Sequence, residues 1–154
     1  MADLPKLFLD ASTLIAAAAS PDGGSSIVVE LCALGKAKAL VTRLVLIEVE
    51  RNIQEKLGEN VLLRYFNLLA RLDPVLVPFP SEEALQNASA LVAEKDAHVL
   101  AGARESRSTH LITLDRKHLL LEKVRQGALP IIVCTPGDYL QEFLNREDEL
   151  GSEG

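Results

Sequence analysis

The chain has 154 residues, of which 48% are hydrophobic and only 4% aromatic, with no tryptophan. A core must therefore come from Leu, Val, Ile and Ala, which suits helices packed on a parallel sheet, and the length suits one domain that buries most of its chain. The net charge of −6 excludes the broad basic surface that marks many nucleic-acid binders, although residues 145–154 alone carry −3 of it. Cys32 and Cys134 match no zinc spacing and make no disulfide framework. They read as reduced core thiols, which points to the cytoplasm. No segment reaches the roughly 18 apolar residues that a membrane span needs, and no basic start leads into a clean apolar run.

Residues 6–10 read as a buried strand ending at Asp10, and Ser12 or Thr13 then opens a short Ala-rich helix to about Ala19. The Ser-Pro-Asp-Gly-Gly-Ser run at 20–25 is a loop whose serines can cap a helix reaching to Gly35. A strand is expected at 39–42, helices at 44–57 and 59–72, a break at Asp73-Pro74, and a third strand at 75–77. Ser81 is a good N-cap, with Glu82 and Glu83 in the first turn of the helix that follows. Asp96 opens a helical stretch to about Arg107, and residues 110–114 form a fourth strand. Asp115 starts a helical turn that points Leu119, Leu120 and Leu121 inward. Residues 130–134 form a fifth strand, and Thr135 to Asp138 cap a last helix that ends near Leu144. The expected organisation is one unit over residues 1–146 and a loose acidic tail over 147–154.

Strands alternating with helices predict an α/β fold, a three-layer α/β/α sandwich on a mainly parallel sheet of roughly five strands. Ligands bind beyond the carboxyl ends of such strands. Asp10 and Asp115 both follow strands and share that rim, and Glu48 and Asp96 sit on or beside helices. Each acid also has a plain reading. Asp10, Asp96 and Asp115 can cap helices, and Glu48 can pair with Arg51 at the edge of an apolar helix face. If the four converge, their mutual repulsion calls for a cation. Oxygen-only ligands suit Mg²⁺ or Mn²⁺, which support in-line phosphoryl displacement. Without these four acids and the tail, the chain carries +1, so charge leaves a nucleic-acid partner open.

Four segments together resemble a known family. Phe8-Leu9-Asp10-Ala11-Ser12 is similar to the opening motif of PIN domains (named for the PilT N-terminus), and Thr42 to Val49 is similar to the second motif with its single glutamate, Glu48. Lys95-Asp96-Ala97-His98 and onward to Ala103 resembles the third motif, and Leu111-Ile112-Thr113-Leu114-Asp115 resembles the fourth. The resemblance spans about residues 6–144. It implies a metal-dependent endoribonuclease acting on RNA, with Asp10, Glu48, Asp96 and Asp115 as acidic ligands of Mg²⁺ or Mn²⁺ and Ser12 and Thr113 as supporting hydrogen-bond groups. Many small members resemble VapC, the toxin of a toxin–antitoxin pair, which implies an antitoxin partner and leaves a homo-oligomer open. Arg43, Arg104, Arg116 and Lys117 lie near the expected rim as phosphate contacts, with a solvated face as the plain alternative.

His98, His110 and His118 make no metal spacing on one element; His118 is read as a surface histidine with a phosphate contact as the alternative. The competing function is a catalytically silent PIN module that binds RNA or a protein. A phosphatase of the haloacid dehalogenase type wants a second Asp two residues after the first, where this chain has Ser12.

Overall fold

A computed structural model describes residues 3–153. Five strands form one sheet in the order β3-β2-β1-β4-β5, and every neighbouring pair is parallel. The strands are β1 (Lys6–Leu9), β2 (Lys38–Val41), β3 (Val75–Leu76), β4 (His110–Ile112) and β5 (Ile132–Cys134). The helices are α1 (Ala11–Ala19), α2 (Gly24–Ala33), α3 (Arg43–Lys56), α4 (Glu59–Leu72), α5 (Glu82–Ser89), α6 (Ala97–Glu105), α7 (Glu122–Ala128) and α8 (Pro136–Glu153). The expected α/β/α architecture is the one observed. Helix α1 packs on α2, α3 and α4, α2 also meets α8, and α5 packs on α6.

The central strand β1 and its neighbour β4 are deeply buried. Leu7, Phe8 and Leu9 of β1 have no exposure, nor have Leu111 and Ile112 of β4. Such continuous apolar runs are what a parallel sheet covered on both faces requires. Gly102 of α6 lets that helix approach β1 closely: a Cβ there would stand 2.9 Å from Cζ of Phe8. Ser81 and Thr135 cap as expected and Thr42 caps α3 without having been expected to, but no serine of residues 20–25 caps α2, whose N-cap is Gly23 without a side-chain bond. Thr42 Oγ1 accepts a hydrogen bond from the Val45 amide at 3.3 Å, and Ser81 Oγ accepts one from the Ala84 amide at 3.2 Å. Thr135 Oγ1 accepts from the Asp138 amide at 3.0 Å as α8 begins.

Three expectations are corrected. Leu119 is buried and Leu120 partly so, but Leu121 is 37% exposed and stands at the N-cap of α7, a separate helix that the pattern did not reveal. Helix α8 does not end near Leu144 but runs through the acidic stretch to Glu153; the expected tail, 147–154, extends one residue past those described. Strand β5 begins at Ile132, after Pro130, which has no amide proton to give a ladder. Both cysteines are free and buried, and burial pushes each thiol up to about 12, so neither is a ready nucleophile. No helix among the described residues is long and apolar enough to cross a membrane.

Candidate metal centre

The site is assembled where β1 and β4 end side by side. Leu9 pairs with Ile112 across the parallel ladder, and the Asp10 amide donates to the Ile112 carbonyl at 3.1 Å. The residues that follow, Asp10 on one chain segment and Thr113 on the other, therefore meet at the carboxyl edge. Asp10 occupies the N-cap position of α1, yet its side chain makes no cap hydrogen bond. Its Oδ2 accepts instead from Thr113 Oγ1 at 2.7 Å and from Ser12 Oγ at 2.9 Å.

The two hydroxyls are oriented from behind. Thr113 Oγ1 accepts the Asp115 amide at 3.1 Å and Ser12 Oγ accepts the Leu114 amide at 3.0 Å. A hydroxyl has one proton to give; with its oxygen occupied by a backbone amide, that proton goes to Asp10. Asp10 is only 8% exposed. Burial raises its pKa most; the Thr113 and Ser12 hydrogen bonds and the Ala11 amide oppose this, and the charge of Asp115 adds to the rise.

Asp115 is held in a tight turn. Its Oδ1 accepts the amides of Lys117 at 3.1 Å and His118 at 3.0 Å, so it closes a turn rather than capping a helix; the next helix, α7, has its N-cap at Leu121. The His118 ring lies against the same carboxylate, with Nδ1 3.1 Å from Oδ2. Asp96 does not cap α6. It ends a 3-10 turn, Glu94–Asp96, and makes no side-chain cap bond. Its Oδ2 is buried without a hydrogen-bond partner. Burial and the Asp115 charge raise its pKa, against the lowering effect of Lys95, His118 and His98. Asp96, Asp115 and His118 each offer a ligand atom, and these atoms lie within 4.8 Å of one another. A buried carboxylate oxygen with no donor beside it is costly. Oxygens so placed fit a hard divalent cation.

Glu48 pairs with an unexpected residue. Its partner is not Arg51, which is exposed, but His98, whose Nε2 lies 3.1 Å from Glu48 Oε1. The pair lines a cavity of about 550 Å³ with Leu44, Phe79 and Lys95. Asp96 and Asp115 thus lie together with His118, while the buried Asp10 is held to the Asp115 segment by Thr113 and feels the Asp115 charge, and Glu48 pairs with His98, whose charge also bears on Asp96.

Among the basic residues, Arg116 and Lys117 are exposed immediately after Asp115, and Arg43 is exposed at the first position of α3, beyond the carboxyl end of β2. Arg104 is not near this rim. It lies in the last turn of α6, the end away from Asp96, and donates to the Gly127 carbonyl at 3.0 Å.

The sequence reading missed His98 and treated His118 as a surface residue. The i, i+3 spacing of Asp115 and His118 was the available signal for the second. For His98 the 3-10 turn hides the signal, since two residues apart on a regular helix would point different ways.

The fold and this edge define the class. The PIN domain family model matches residues 7–125, and the chain belongs to that family. Among solved structures, the fold is similar to VapBC2 from Rickettsia felis bound to a DNA fragment from its promoter (14% identity, TM-score 0.63, covering 84% of this chain and 98% of that one). It is similar to PAE2754 from Pyrobaculum aerophilum (19%, 0.64, 92% and 90%). It is also similar to Mycobacterium tuberculosis VapC20, a toxin that cleaves the sarcin-ricin loop (17%, 0.52, 72% and 91%). No curated protein sequence gives a significant match.

The state of Asp10 gives a prediction. Its folded pKa lies above the ordinary value, so the fold favours the neutral carboxyl. The stability it contributes is full below about 3.8 and is lost as pH rises through the folded pKa. Asp10→Asn keeps an acceptor for Thr113 and removes the buried charge. Metal-free Asp10→Asn protein should melt above wild type at pH 7, and the gap should close below pH 3.8. A thermal melt series across pH checks this; a lower melting temperature at pH 7 contradicts it.

Proposed function

We propose that the protein is a metal-dependent endoribonuclease that hydrolyses RNA phosphodiester bonds, with Asp10, Glu48, Asp96 and Asp115 holding Mg²⁺ or Mn²⁺. The observation that carries this reading is the closeness of Asp96, Asp115 and His118, with Asp96 Oδ2 buried and satisfied by no protein group, beside an Asp115 whose charge also reaches the buried Asp10. The membership of the PIN domain family supports it. A divalent cation bound there supplies Lewis-acid stabilisation of phosphoryl charge and a more acidic water.

The residues have distinct tasks. Ser12 and Thr113 fix Asp10 through their hydroxyl protons, so its carboxylate keeps one orientation at the edge. His98 holds Glu48, and its own charge bears on Asp96. Arg116, Lys117 and Arg43 are exposed cations positioned to take the RNA backbone without reading its bases. No side chain here is suited to covalent attack: Ser12 gives its proton to Asp10, and both thiols are buried with raised pKa values. Water is therefore the nucleophile. It forms the new P–O bond, the P–O3′ bond breaks, and the departing 3′ oxygen takes a proton.

That chemistry fixes the products. A single-stranded RNA should be cut to 5′-phosphate and 3′-hydroxyl ends. Product ends are read by mass spectrometry; 2′,3′-cyclic phosphates would mean attack by the ribose hydroxyl and would overturn the reading. We extend the proposal to a cytoplasmic toxin paired with an antitoxin protein, supported by the similarity of the fold to VapC-type chains.

A further inference from the structure

We infer that His118 supplies a nitrogen ligand to the metal centre, so that the site is a mixed carboxylate–imidazole one and prefers Mn²⁺ to Mg²⁺. The inference rests on the reading of this edge as a divalent-cation site, and adds a residue that an all-carboxylate set does not contain. Three observations carry it. First, ligand atoms of His118, Asp96 and Asp115 lie within 4.8 Å of one another, although Asp96 comes from a turn before α6 and the other two from the loop after β4. Second, the ring is not needed to hold Asp115, whose Oδ1 is already fixed by the backbone amides of Lys117 and His118. Third, the ion pair between His118 and Asp115 leaves the Asp96 carboxylate with an oxygen, Oδ2, that no protein group satisfies, so Asp96 keeps unmet acceptor capacity beside the pair.

The geometry is built in by the local chain. The turn from Asp115 to His118 brings residue i+3 back over residue i, and the half-exposed ring stays at the same edge as the two carboxylates. An imidazole nitrogen is a softer donor than a carboxylate oxygen. It favours transition ions, while Mg²⁺ keeps to oxygen.

The test uses purified full-length protein with Mn²⁺ alone as probe. Pulsed electron paramagnetic resonance of bound Mn²⁺ should show coupling to one imidazole nitrogen in wild type, still present in His98→Gln and absent in His118→Gln. Calorimetry should show wild type preferring Mn²⁺ over Mg²⁺ by about tenfold more than His118→Gln does. Circular dichroism of each variant confirms that the fold persists. Bound Mn²⁺ without nitrogen coupling, or coupling that survives His118→Gln, overturns the assignment of His118. RNA cleavage measured on the same samples separates the two readings: metal-dependent cleavage without nitrogen coupling removes His118 and leaves the nuclease standing. Coupling without cleavage supports His118 as a ligand and removes the nuclease.

Discussion

The Asp10→Asn protein is expected to cut RNA at least ~100-fold more slowly than wild type while keeping its fold, because the loss of a ligand charge forfeits several kcal/mol of transition-state stabilisation. Asp96→Asn should do the same. The pair is the informative case. Asp10 and Asp96 each feel the charge of Asp115, and both are proposed to hold the same cation, so they act as a unit. The double variant should therefore be little worse than either single one. Kinetics on one RNA under single-turnover conditions decide it; losses that multiply would mean that the two carboxylates act separately. Stability moves the other way. Each Asn removes a carboxylate whose pKa the fold raises, so the metal-free variants should not melt below wild type at pH 7.

Phe8→Ala is expected to destabilise the protein by ~3–5 kcal/mol, a fall in melting temperature of roughly 10 °C. Phe8 has no exposure, lies on the central strand and presses its ring on Gly102 of α6. That contact makes a second, sharper statement. A Cβ at residue 102 would stand 2.9 Å from Cζ and 3.0 Å from Cε2 of Phe8. Gly102→Ala alone should cost stability, as overpacking of ~1–3 kcal/mol exceeds the ~1 kcal/mol that Ala gains over Gly in a helix. In a Phe8→Leu background the outer ring atoms are gone and the same Gly102→Ala change should become neutral or stabilising. Chemical denaturation of the four proteins gives the coupling; Gly102→Ala with equal effects in both backgrounds would contradict this packing.

Much of this was legible in the sequence where the physics is local. The short apolar runs ending at Asp10 and before Asp115 mark buried parallel strands, and the carboxyl-edge rule then places both acids together. Ser81 and Thr135 cap as hydroxyls before helices do. What stayed hidden depends on tertiary context. Nothing in residues 94–96 announces a 3-10 turn, so Asp96 reads as a plain cap when its carboxylate is in fact left free of capping. Glu48 has Arg51 at helical spacing, but the residue that reaches it, His98, comes from another helix. Arg104 follows Asp96 closely in sequence, yet one helix length carries it to the Gly127 carbonyl. The acidic end of the chain reads as a tail on composition, but it holds helix-forming residues and no stop before Gly151, and Glu142 and Arg146 pair one turn apart.

Cleavage of a single-stranded RNA by purified protein, followed without additions, in excess chelator and after return of Mn²⁺, bears most directly on the claim that these carboxylates work through a divalent cation. Wild type should lose its activity in chelator and recover it with Mn²⁺, while Asp10→Asn stays nearly silent throughout. Undiminished cleavage in chelator, or full activity in Asp10→Asn, would contradict it.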